Sequence, residues 1–516
     1  MSSDVIDDAL SQTGSYVSRA LRLFDSYGDR EAVVGGGRRL TYRGVRGLVV
    51  DLAGVLQRHG IGAGAGVLVL AGNTVELPAL QLALHLLGAR TMWIAPIAGR
   101  SEIEQFAALS EPDVFLYDAA GKAELGERLA TQLGVTVLCL GPGGLGPDVL
   151  SEQAADFEPR PTGDLATCLQ TSGTTGTPKL VHHGREFYEQ ILTLGADFVA
   201  AGNPLLRHLS HSPMAFASGQ ITGLFNLFTG GVLFLEETWD AGNCLAVIER
   251  ERINSTYVSP PLLYQLLDHP ALPDTDVSSL FMLNVGAGPA APSRLRQAIV
   301  AFGPCLRIVY GLSEVIVVTA QPGLTEDPEH PERLRSSGTP YGDVRLQTRD
   351  ASGTALPPGE TGEIWAASRL AFKGYWGQPE LTARTIVDGW VRTGDLGFVD
   401  ADGYLFVVDR VADAIITGKA NWNVYCRPIE DLLAAHPSVR AAAVIGVPDD
   451  EYGEVPHAYV VLHDGAVVAP DELAALVVAE YNDMWAPRGV DFVDALPLTI
   501  AGKVDKQALR ARYGAR

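Results

Sequence analysis

Two kinds of apolar run alternate along this chain of 516 residues. Short runs, such as GVLVLAG at 66–72 and DVFLYDA at 113–119, have the length and composition of buried strands. Longer runs, such as VELPALQLALHLLGA at 75–89, have the apolar spacing that is typical of helices. Because a strand, a crossover helix and a further strand form a parallel pair, the alternation predicts an α/β fold in which helices cover parallel sheets.

The pattern changes twice toward the C-terminus. Around 338–410, short strand-like runs are joined by turns rich in Gly, Pro and Asp, which predicts a β-rich region. From 410 onward, helix-like and strand-like runs mix in a shorter segment. Since a chain of this length exceeds what one hydrophobic core supports, we predict two domains. A large N-terminal domain, 1–409, combines two α/β subdomains with the β-rich subdomain, and a small α+β domain occupies 410–516.

Charge and composition exclude several classes of partner. A net charge of −22 argues against a nucleic acid or an anionic membrane. The five cysteines form no CxxC pair, which favours small buried thiols over structural zinc. The first residues, MSSDVIDDALSQ, are unlike a signal peptide, and no apolar run is long enough to cross a bilayer. We therefore expect a cytoplasmic protein.

The stretch TSGTTGTPK at 171–179 follows the strand-like run LATCLQ. Its small residues let backbone N–H groups approach an anion, its hydroxyl groups add donors, and its lysine adds a mobile positive charge. The spacing differs from the GxxxxGK[ST] loop, and a loop of this kind on its own is more typical of an ordinary turn. The expected phosphate contacts are Thr171, Ser172, Gly173, Thr174, Thr175, Gly176 and Lys179.

Two further segments follow strand-like runs and suit an adenine nucleotide. AGP at 287–289 offers bare backbone against which an adenine can lie. In YGLSE at 310–314, Tyr310 offers an aromatic face, and Glu314 is a hard oxygen ligand of the kind that Mg²⁺ prefers. The alternative for Glu314 is an acidic residue at a helix start. The expected nucleotide contacts in these segments are Gly286, Ala287, Gly288, Tyr310, Gly311 and Ser313.

Three more segments lie nearer the C-terminus. GYWGQPELT at 374–382, together with GWVRTGDLG, sets Asp395 on a predicted glycine-flanked turn, where its carboxylate can accept both ribose hydroxyls. VVDRVADAIITG places Arg410 at the predicted domain junction. PLTIAGKVDK places Lys503 after a glycine in the C-terminal domain, although it could also be a solvated lysine.

Taken in this order, the six segments resemble the motifs of the adenylate-forming superfamily, which includes acyl- and aryl-CoA synthetases, adenylation domains of nonribosomal peptide synthetases, and luciferases. The resemblance implies a mobile C-terminal lid, ATP and Mg²⁺ as cofactors, and CoA as co-substrate. It implies that a carboxylate attacks the α-phosphate of MgATP, which gives an acyl-adenylate and pyrophosphate. A nucleophile, usually a thiol, then displaces AMP.

The same resemblance implies a role for each matched residue. The loop that ends in Lys179 would hold the β- and γ-phosphates, and Glu314 would hold Mg²⁺. Asp395 would bind the ribose, and Arg410 the ribose or a phosphate. Lys503 would bridge the carboxylate and the α-phosphate, so the predicted catalytic residues are Lys503, Glu314 and Lys179.

The segment SPMAFASG at 212–219 matches the part of the family that lines the acid pocket. Phe216 stands where many acyl-CoA synthetases have histidine, and Ala217 where domains that activate α-amino acids have aspartate. Without a counter-charge, burial of an α-ammonium group is costly, so a flat aromatic or otherwise apolar acid is favoured. The expected contacts with the acid are Phe216, Ala217, Gly219 and, in the run 315–319, Val318.

The hinge region departs from the family pattern, which leaves the acceptor open. Ala412 stands where the hinge aspartate normally falls, although Asp413 beside it could compensate. Lys419 replaces a glycine next to the pantetheine tunnel, and about two extra residues follow it, so thiol transfer could be altered.

Several acceptors and two other functional classes therefore remain as alternatives. The acceptor could be CoA, a free-standing carrier protein or an amine, and nitrite could replace the acid, as in enzymes that diazotise an arylamine. A luciferase-like oxygenase has no positive sign in the sequence. A catalytically inactive ATP-binding module is disfavoured by the retained site residues.

Four histidines, His182, His183, His208 and His211, are candidate bases. An ionised carboxylate needs no base for its attack. For these four histidines, a position in a loop or at the surface without a catalytic role is therefore at least as well supported as a role as a base.

Overall fold

The strands and helices of the N-terminal domain follow the alternation that the sequence predicts. The computed structural model describes residues 15–95, 100–153, 166–171, 179–417, 422–499 and 503–515. Its strands, in chain order, are β1 Glu31–Gly35, β2 Arg38–Thr41, β3 Gly66–Leu70, β4 Arg90–Ile94, β5 Val114–Asp118, β6 Thr136–Leu140, β7 Ala166–Thr171, β8 Lys179–His183, β9 Arg207–Ser210, β10 Val232–Leu235, β11 Ser255–Val258, β12 Met282–Val285, β13 Leu306–Leu312, β14 Val315–Gln321, β15 Thr339–Pro340, β16 Arg345–Arg349, β17 Gly362–Ala367, β18 Gly374–Tyr375, β19 Ile386–Val387, β20 Trp390–Val399, β21 Leu405–Arg410, β22 Ile415–Thr417, β23 Trp422–Val424, β24 Val439–Asp449, β25 Gly453–Leu462 and β26 Gly489–Phe492. Its helices are α1 Tyr16–Tyr27, α2 Tyr42–Arg58, α3 Leu77–Leu86, α4 Arg100–Ser110, α5 Ala123–Leu133, α6 Arg185–Ala200, α7 Ala217–Phe228, α8 Ala241–Arg250, α9 Pro260–Leu267, α10 Pro292–Phe302, α11 Pro379–Thr385, α12 Cys426–Leu433, α13 Pro470–Glu480 and α14 Lys506–Gly514.

The first α/β unit is built on a sheet with the order β18-β8-β7-β4-β3-β5-β6. Strands β7, β4, β3, β5 and β6 are parallel, and β8 returns antiparallel to β7. All five residues of β3 and of β5 are buried, as expected for central strands that helices cover on both faces. Residues 172–178, which connect β7 to β8 in the chain, lie outside the described residues.

The second α/β unit is built on a sheet with the order β15-β14-β13-β12-β11-β9-β10-β1-β2. Its centre, from β10 through β9, β11 and β12 to β13, is parallel, and both margins are antiparallel. One face of this sheet packs against α8, α9 and α10 through an apolar cluster that includes Leu209, Val258, Leu283 and Leu306. The carboxyl ends of its parallel strands therefore meet at one edge, where ligands of open α/β sheets usually bind.

The β-rich region is an antiparallel sheet of β16, β17, β20 and β19, with β21 paired to β20. This arrangement confirms the β-rich subdomain, but it corrects one local expectation. Asp395 does not lie on a turn: it lies within β20, directly opposite Arg410 of β21. The flanking Gly394 has a φ of +70°, so the glycine accommodates a local irregularity of the strand instead of ending it.

The C-terminal part forms a sheet of β23, β22, β25 and β24, with β26 beside β25 and with α12, α13 and α14 around it. This confirms a small α+β domain. The last strand of the large domain ends at Arg410 and the first strand of the small sheet begins at Ile415, while the boundary between 409 and 410 stays a prediction. Among the described residues, no helix has the length and apolarity needed to cross a membrane.

Candidate active site

A cleft of about 960 Å³ lies between the large and the small domain. It opens at the carboxyl edge of the nine-stranded sheet, where parallel strands place their following loops side by side. Both domains contribute to its wall. Among the predicted site residues, those that line it are Ala287, Gly288, Tyr310, Gly311, Asp395, Arg410 and Lys503.

Among these residues, Asp395 is fixed by polar contacts with two others, Arg410 and Tyr310. Its carboxylate is 4% exposed, its Oδ1 lies 3.0 Å from Nε of Arg410, and its Oδ2 accepts a hydrogen bond of 2.7 Å from the Tyr310 hydroxyl. The Asp395 charge raises the pKa of Arg410, and burial, together with Asp395, raises the pKa of Tyr310. The three side chains therefore form one polar unit with an ion pair on one side and a neutral phenol on the other.

Lys503 extends from the small domain into the same cleft. Its backbone is fixed by two hydrogen bonds with Thr499, since Thr499 N donates to Lys503 O at 2.7 Å and Lys503 N donates to Thr499 Oγ1 at 3.2 Å. Burial and the Arg410 guanidinium lower the pKa of Lys503 to about 8, while Asp395 and Glu314 act in the opposite direction. The structure therefore brings Lys503, Arg410, Asp395 and Glu314 into one electrostatic environment.

This pKa gives a prediction for the pH dependence of the first half-reaction. The ammonium form of Lys503 is present below its folded pKa of about 8 and is lost as the pH rises through that value. If the reaction needs the cation, kcat/KM for pyrophosphate release is constant below pH 8 and falls about tenfold per unit above it. Lys503→Arg keeps its charge throughout this range and should abolish the fall. A wild-type profile that stays flat to pH 10 would contradict the assignment.

Glu314 lies in the turn between β13 and β14, so the helix-start alternative is wrong. Its Oε1 accepts a hydrogen bond of 2.7 Å from the Tyr375 hydroxyl, and Nζ of Lys179 lies 5.4 Å from the centre of the Tyr375 ring. Tyr375 belongs to the segment GYWGQPELT, and the sequence argument assigned no role to Tyr375 itself. No local sequence pattern links Tyr375 to Glu314, because the two residues are 61 positions apart.

The surroundings of Glu314 suit Mg²⁺. Its second carboxylate oxygen makes no hydrogen bond within the described ranges, and Tyr375 fixes the first. Within those ranges, no group of three or more His, Cys, Asp and Glu side chains could hold a metal ion by itself. This arrangement fits a cation that is shared between one carboxylate and substrate phosphates, which is the usual way in which Mg²⁺ binds.

The predicted phosphate loop can be placed only by its ends. Thr171 and Lys179, which flank the loop, are register partners in the β7–β8 pair, and Nζ of Lys179 lies over the Tyr375 ring. The predicted contacts Ser172, Gly173, Thr174, Thr175 and Gly176 lie outside the described residues. Their contact with phosphate stays a prediction.

The adenine segment has an unusual backbone. Ala287 has a φ of +68°, which an L-residue adopts at a cost. A Cβ added to Gly286 would lie 2.7 Å from Val309 O and 2.9 Å from the Tyr257 hydroxyl, so this position has no room for a side chain. Gly311 is equally confined by the Ile316 carbonyl of the adjacent strand.

The segment at the start of α7 has the compact packing that small residues allow. Phe216 is half-buried and Ala217 is buried, and a Cβ on Gly219 would collide with the Pro213 carbonyl. Val318 has no exposed surface, and it packs in a cluster with Val181 and Val315. Contact of these four residues, Phe216, Ala217, Gly219 and Val318, with an acid stays a prediction.

Of the hinge residues that depart from the family pattern, the structure describes Ala412 and its neighbour Asp413 but not Lys419. Ala412 lines the cleft, and Oδ1 of Asp413 accepts a hydrogen bond of 2.7 Å from Arg510 of α14. Asp413 is therefore committed to a contact within the small domain. Lys419 lies outside the described residues, and its effect on the acceptor stays a prediction.

Three of the four histidines correct a second expectation, whereas His211 lies in the loop after β9 as expected. His182, His183 and His208 lie in strands, not in loops or at the surface. His183 and His208 are buried, and burial lowers the pKa of each to about 3, so both are neutral at physiological pH. His183 Nε2 lies 2.9 Å from the Ser313 carbonyl oxygen, which ties β8 to the turn that carries Glu314. The cysteines agree with the sequence argument: all five are free thiols and buried.

Comparison with known proteins gives a consistent result. The family model for AMP-binding enzymes matches residues 22–376, and the model for the AMP-binding enzyme C-terminal domain matches residues 428–503. A feruloyl-CoA synthase of Amycolatopsis sp is 35% identical over 498 residues, which are 94% of this chain and 96% of that enzyme. The medium/long-chain-fatty-acid–CoA ligase FadD8 of Mycobacterium tuberculosis is 37% identical over 382 residues, which are 70% of this chain and 65% of that ligase.

Among solved structures, the amide bond synthetase McbA from Marinactinospora thermotolerans has a TM-score of 0.87 and 36% sequence identity. The similarity covers 96% of this chain and all of that one, 100%. The structural likeness to McbA thus extends over both domains, and the names of these relatives specify different products, CoA thioesters in two cases and an amide in the third.

Proposed function

Because the chain belongs to the adenylate-forming superfamily of AMP-binding enzymes, we propose that it activates an aromatic or hydrophobic carboxylic acid with ATP and transfers the acyl group to a thiol. The first half-reaction releases pyrophosphate and the second releases AMP. The observation that carries the proposal is the convergence of Asp395, Arg410 and Lys503, from both domains, at one cleft, with the Glu314 charge close enough to act on Lys503.

Each of these groups suits one part of MgATP. The Asp395 carboxylate already accepts from Arg410 and Tyr310, and its remaining lone pairs can accept from the ribose hydroxyls. Glu314 and the phosphate oxygens would hold Mg²⁺, which neutralises negative charge on the polyphosphate. Lys503 is the cation that the small domain supplies, and it lies where a second anion can meet the nucleotide.

The chemistry explains why cations must be concentrated here. A carboxylate oxygen forms a bond to the α-phosphorus while the bond to the bridging oxygen breaks, and pyrophosphate leaves with that electron pair. Two anions must therefore approach each other in a chain with a net charge of −22. Fixed cations such as Lys503 and Arg410 stabilise the charge that develops around the α-phosphorus without reorganisation of solvent.

The proposed acid class rests on the segment at the start of α7. Phe216 and Ala217 offer an apolar surface with no carboxylate that could pair with an α-ammonium group. The similarity to a feruloyl-CoA synthase over 94% of the chain supports an aromatic acid and CoA as the acceptor. A carrier-protein thiol in trans would accept the acyl group by the same chemistry.

A second candidate acceptor is an amine. It is favoured by the similarity to an amide bond synthetase over both domains and by Lys419, a bulky cation where the family has a glycine next to the pantetheine tunnel. Activation of nitrite in place of a carboxylate would also leave the nucleotide site unchanged.

Product analysis by mass spectrometry tests the proposal. The enzyme is incubated with MgATP and a panel of substituted benzoates and cinnamates, with CoA, with an amine, or with neither. Acyl-CoA together with AMP supports the thiol ligase, whereas an amide together with AMP supports the second candidate. Absence of AMP and acyl-adenylate with every acid would contradict the activation step itself.

Tyr375 offers a test of the Mg²⁺ site. Tyr375→Phe removes only the hydroxyl that fixes Glu314, so we expect the Mg²⁺ concentration for half-maximal pyrophosphate release to rise about tenfold, as for other groups that orient a metal ligand. The matched control is Tyr404→Phe in the β-rich region, which should leave the Mg²⁺ dependence unchanged. If wild type and Tyr375→Phe reach half-maximal pyrophosphate release at the same Mg²⁺ concentration, Tyr375 does not contribute to the Mg²⁺ site.

A further inference from the structure

One carboxylate of the large domain is shared between two arginines, one from each domain. Asp268 directly follows α9, and its Oδ1 lies 2.6 Å from Nη2 of Arg294 in α10, while its Oδ2 lies 3.2 Å from Nε of Arg440 in β24. Arg440 also lines the cleft that Lys503 enters. A charged contact between the two domains therefore lies at the wall of the candidate active site.

Arg294 keeps this carboxylate in place within the large domain. Its side chain is only 7% exposed, and besides Asp268 its guanidinium donates to the Tyr264 carbonyl oxygen at 3.0 Å and to Oε1 of Gln297 at 2.7 Å. The guanidinium carbon also lies 4.8 Å from the centre of the Tyr264 ring. Because a buried arginine requires a charged partner, Asp268 stays at the end of α9 whether or not the small domain is docked. Its second oxygen is then available to a cation from that domain.

Arg440 is the member of this trio that can be removed while the large domain keeps its own ion pair. Its side chain is 41% exposed and belongs to the small domain, and Asp268 retains Arg294 when Arg440 is replaced. A partly exposed ion pair contributes little to the stability of a fold. It still shifts the balance between two arrangements of the domains, because even a small difference in free energy changes their populations by a few fold.

Contacts of α12 with the large domain surround this ion pair. The Ser293 hydroxyl, in the first turn of α10, donates to Ala434 O at 3.2 Å, directly after α12 ends. At the other end of α12, Nη1 of Arg427 donates to Val407 O of β21 at 2.5 Å. Both of these bonds end on a backbone carbonyl oxygen. The ion pair is therefore the contact of this group whose sign a single substitution can reverse.

The position of α12 is passed to Lys503 through α14. Lys503 precedes Lys506, the first residue of α14, by three positions, and Nζ of Lys506 lies 2.9 Å from Oε1 of Glu430 in α12. The same Glu430 oxygen accepts a hydrogen bond of 2.8 Å from Val444 N of β24, the strand that carries Arg440. The side chains of Lys506 and Glu430 are both mostly buried. Since these contacts join α12, β24 and α14, the seat of the small domain on the large one fixes where Lys503 lies.

We propose that the ion pair between Arg440 and Asp268 positions the small domain so that the Lys503 ammonium reaches the reacting atoms. Arg440 and Asp268 are positioning residues, which act through Lys503 and touch neither the nucleotide nor the acid. This inference rests on the proposed function, in which Lys503 serves the first half-reaction. Transfer of the acyl group does not require Lys503, so only the first half-reaction depends on the ion pair.

Changes of charge at Arg440 test the inference. In Arg440→Glu two carboxylates face each other, so we expect pyrophosphate release in the first turnover, at saturating ATP and acid, to slow about tenfold or more. Arg440→Met removes only the attraction and should slow this release by up to about fivefold, the usual effect of a partly exposed ion pair. Arg440→Lys keeps the cation and should restore most of the wild-type rate.

Arg488→Glu is the matched control. Arg488 also belongs to the small domain, its side chain is 40% exposed, and it pairs with Asp483 of the same domain at 3.1 Å. Its reversal should leave pyrophosphate release unchanged. The Arg440 variants should keep the wild-type melting temperature and the KM for ATP. They should also keep the rate of transfer from a chemically prepared acyl-adenylate to the acceptor that product analysis identifies.

The possible results separate the inference from the proposed function. Equal first-turnover rates for wild type and Arg440→Glu, equal slowing by Arg488→Glu, or equal slowing of both half-reactions would overturn the inference while the proposed function stands. A higher KM for ATP or for the acid, at an unchanged first-turnover rate, would make Arg440 a substrate contact and would also overturn it. A wild type that releases no pyrophosphate with any acid would overturn the proposed function, and the inference with it.

Discussion

Lys503→Ala is expected to slow formation of the acyl-adenylate by roughly 10²–10³ or more, the typical cost of removing a preorganised donor at a developing negative charge. The expected loss is large because Lys503 is the cation that the small domain places beside Arg410 and Glu314. Pyrophosphate release in the first turnover measures the step directly. The fold should be retained, since the variant removes a buried ammonium group and keeps the backbone contacts with Thr499.

The second half-reaction provides the internal control for this variant. Transfer from a chemically prepared acyl-adenylate to the acceptor does not require a bridge between a carboxylate and the α-phosphate, so Lys503→Ala should affect it far less. Lys503→Arg should retain part of the first step, because it keeps the positive charge. Equal slowing of both steps would mean that Lys503 supports the closed arrangement of the domains and not the chemistry.

Local patterns account for most of the fold that could be predicted. The apolar runs that became β3, β5 and α3 carry their own periodicity, so their identity does not depend on distant residues. Asp395 shows the limit of this reasoning. Glycines on either side of it suggest a turn, yet pairing with β21 keeps the chain extended through Gly394. Tertiary pairing outweighed the local preference of the sequence.

The site was predictable as a set of segments but not as a set of contacts. Tyr310 and Asp395 are 85 positions apart, and Tyr375 and Glu314 are 61 positions apart, so no local signal joins them. Strand order cannot be read locally either, since β9 lies between β10 and β11 in the sheet. The periodicity of a strand gives its two faces, and only its neighbours decide which face meets a ligand.

The buried histidines have the same physical explanation. A strand such as β8 reads KLVHH, and composition alone does not show that its end lies between two packed layers. In the structure, His183 lies against Phe187, with ring centres 4.1 Å apart, and its Nε2 contacts the Ser313 carbonyl oxygen. Position in the sheet, rather than residue type, makes it a neutral packing residue.

Asp395→Ala is expected to reduce kcat/KM for ATP by roughly 10²–10⁴, because two hydrogen bonds from ribose hydroxyls to a charged acceptor contribute about 1.5–3 kcal/mol each. Stability should fall by only about 1–2 kcal/mol. The Arg410 side chain is 39% exposed, so it can turn to solvent when its partner is removed. Steady-state kinetics with ATP and thermal unfolding measure the two effects separately.

Deoxynucleotides decide whether the loss comes from the ribose. Wild type should use 2′-deoxy-ATP and 3′-deoxy-ATP about tenfold or more less efficiently than ATP, since each analogue lacks one donor to Asp395. Asp395→Ala has no acceptor left, so it should treat all three nucleotides alike. If the variant still discriminates against the deoxynucleotides, its weaker activity arises from displacement of Tyr310 and Arg410, and Asp395 organises the cleft without touching the sugar.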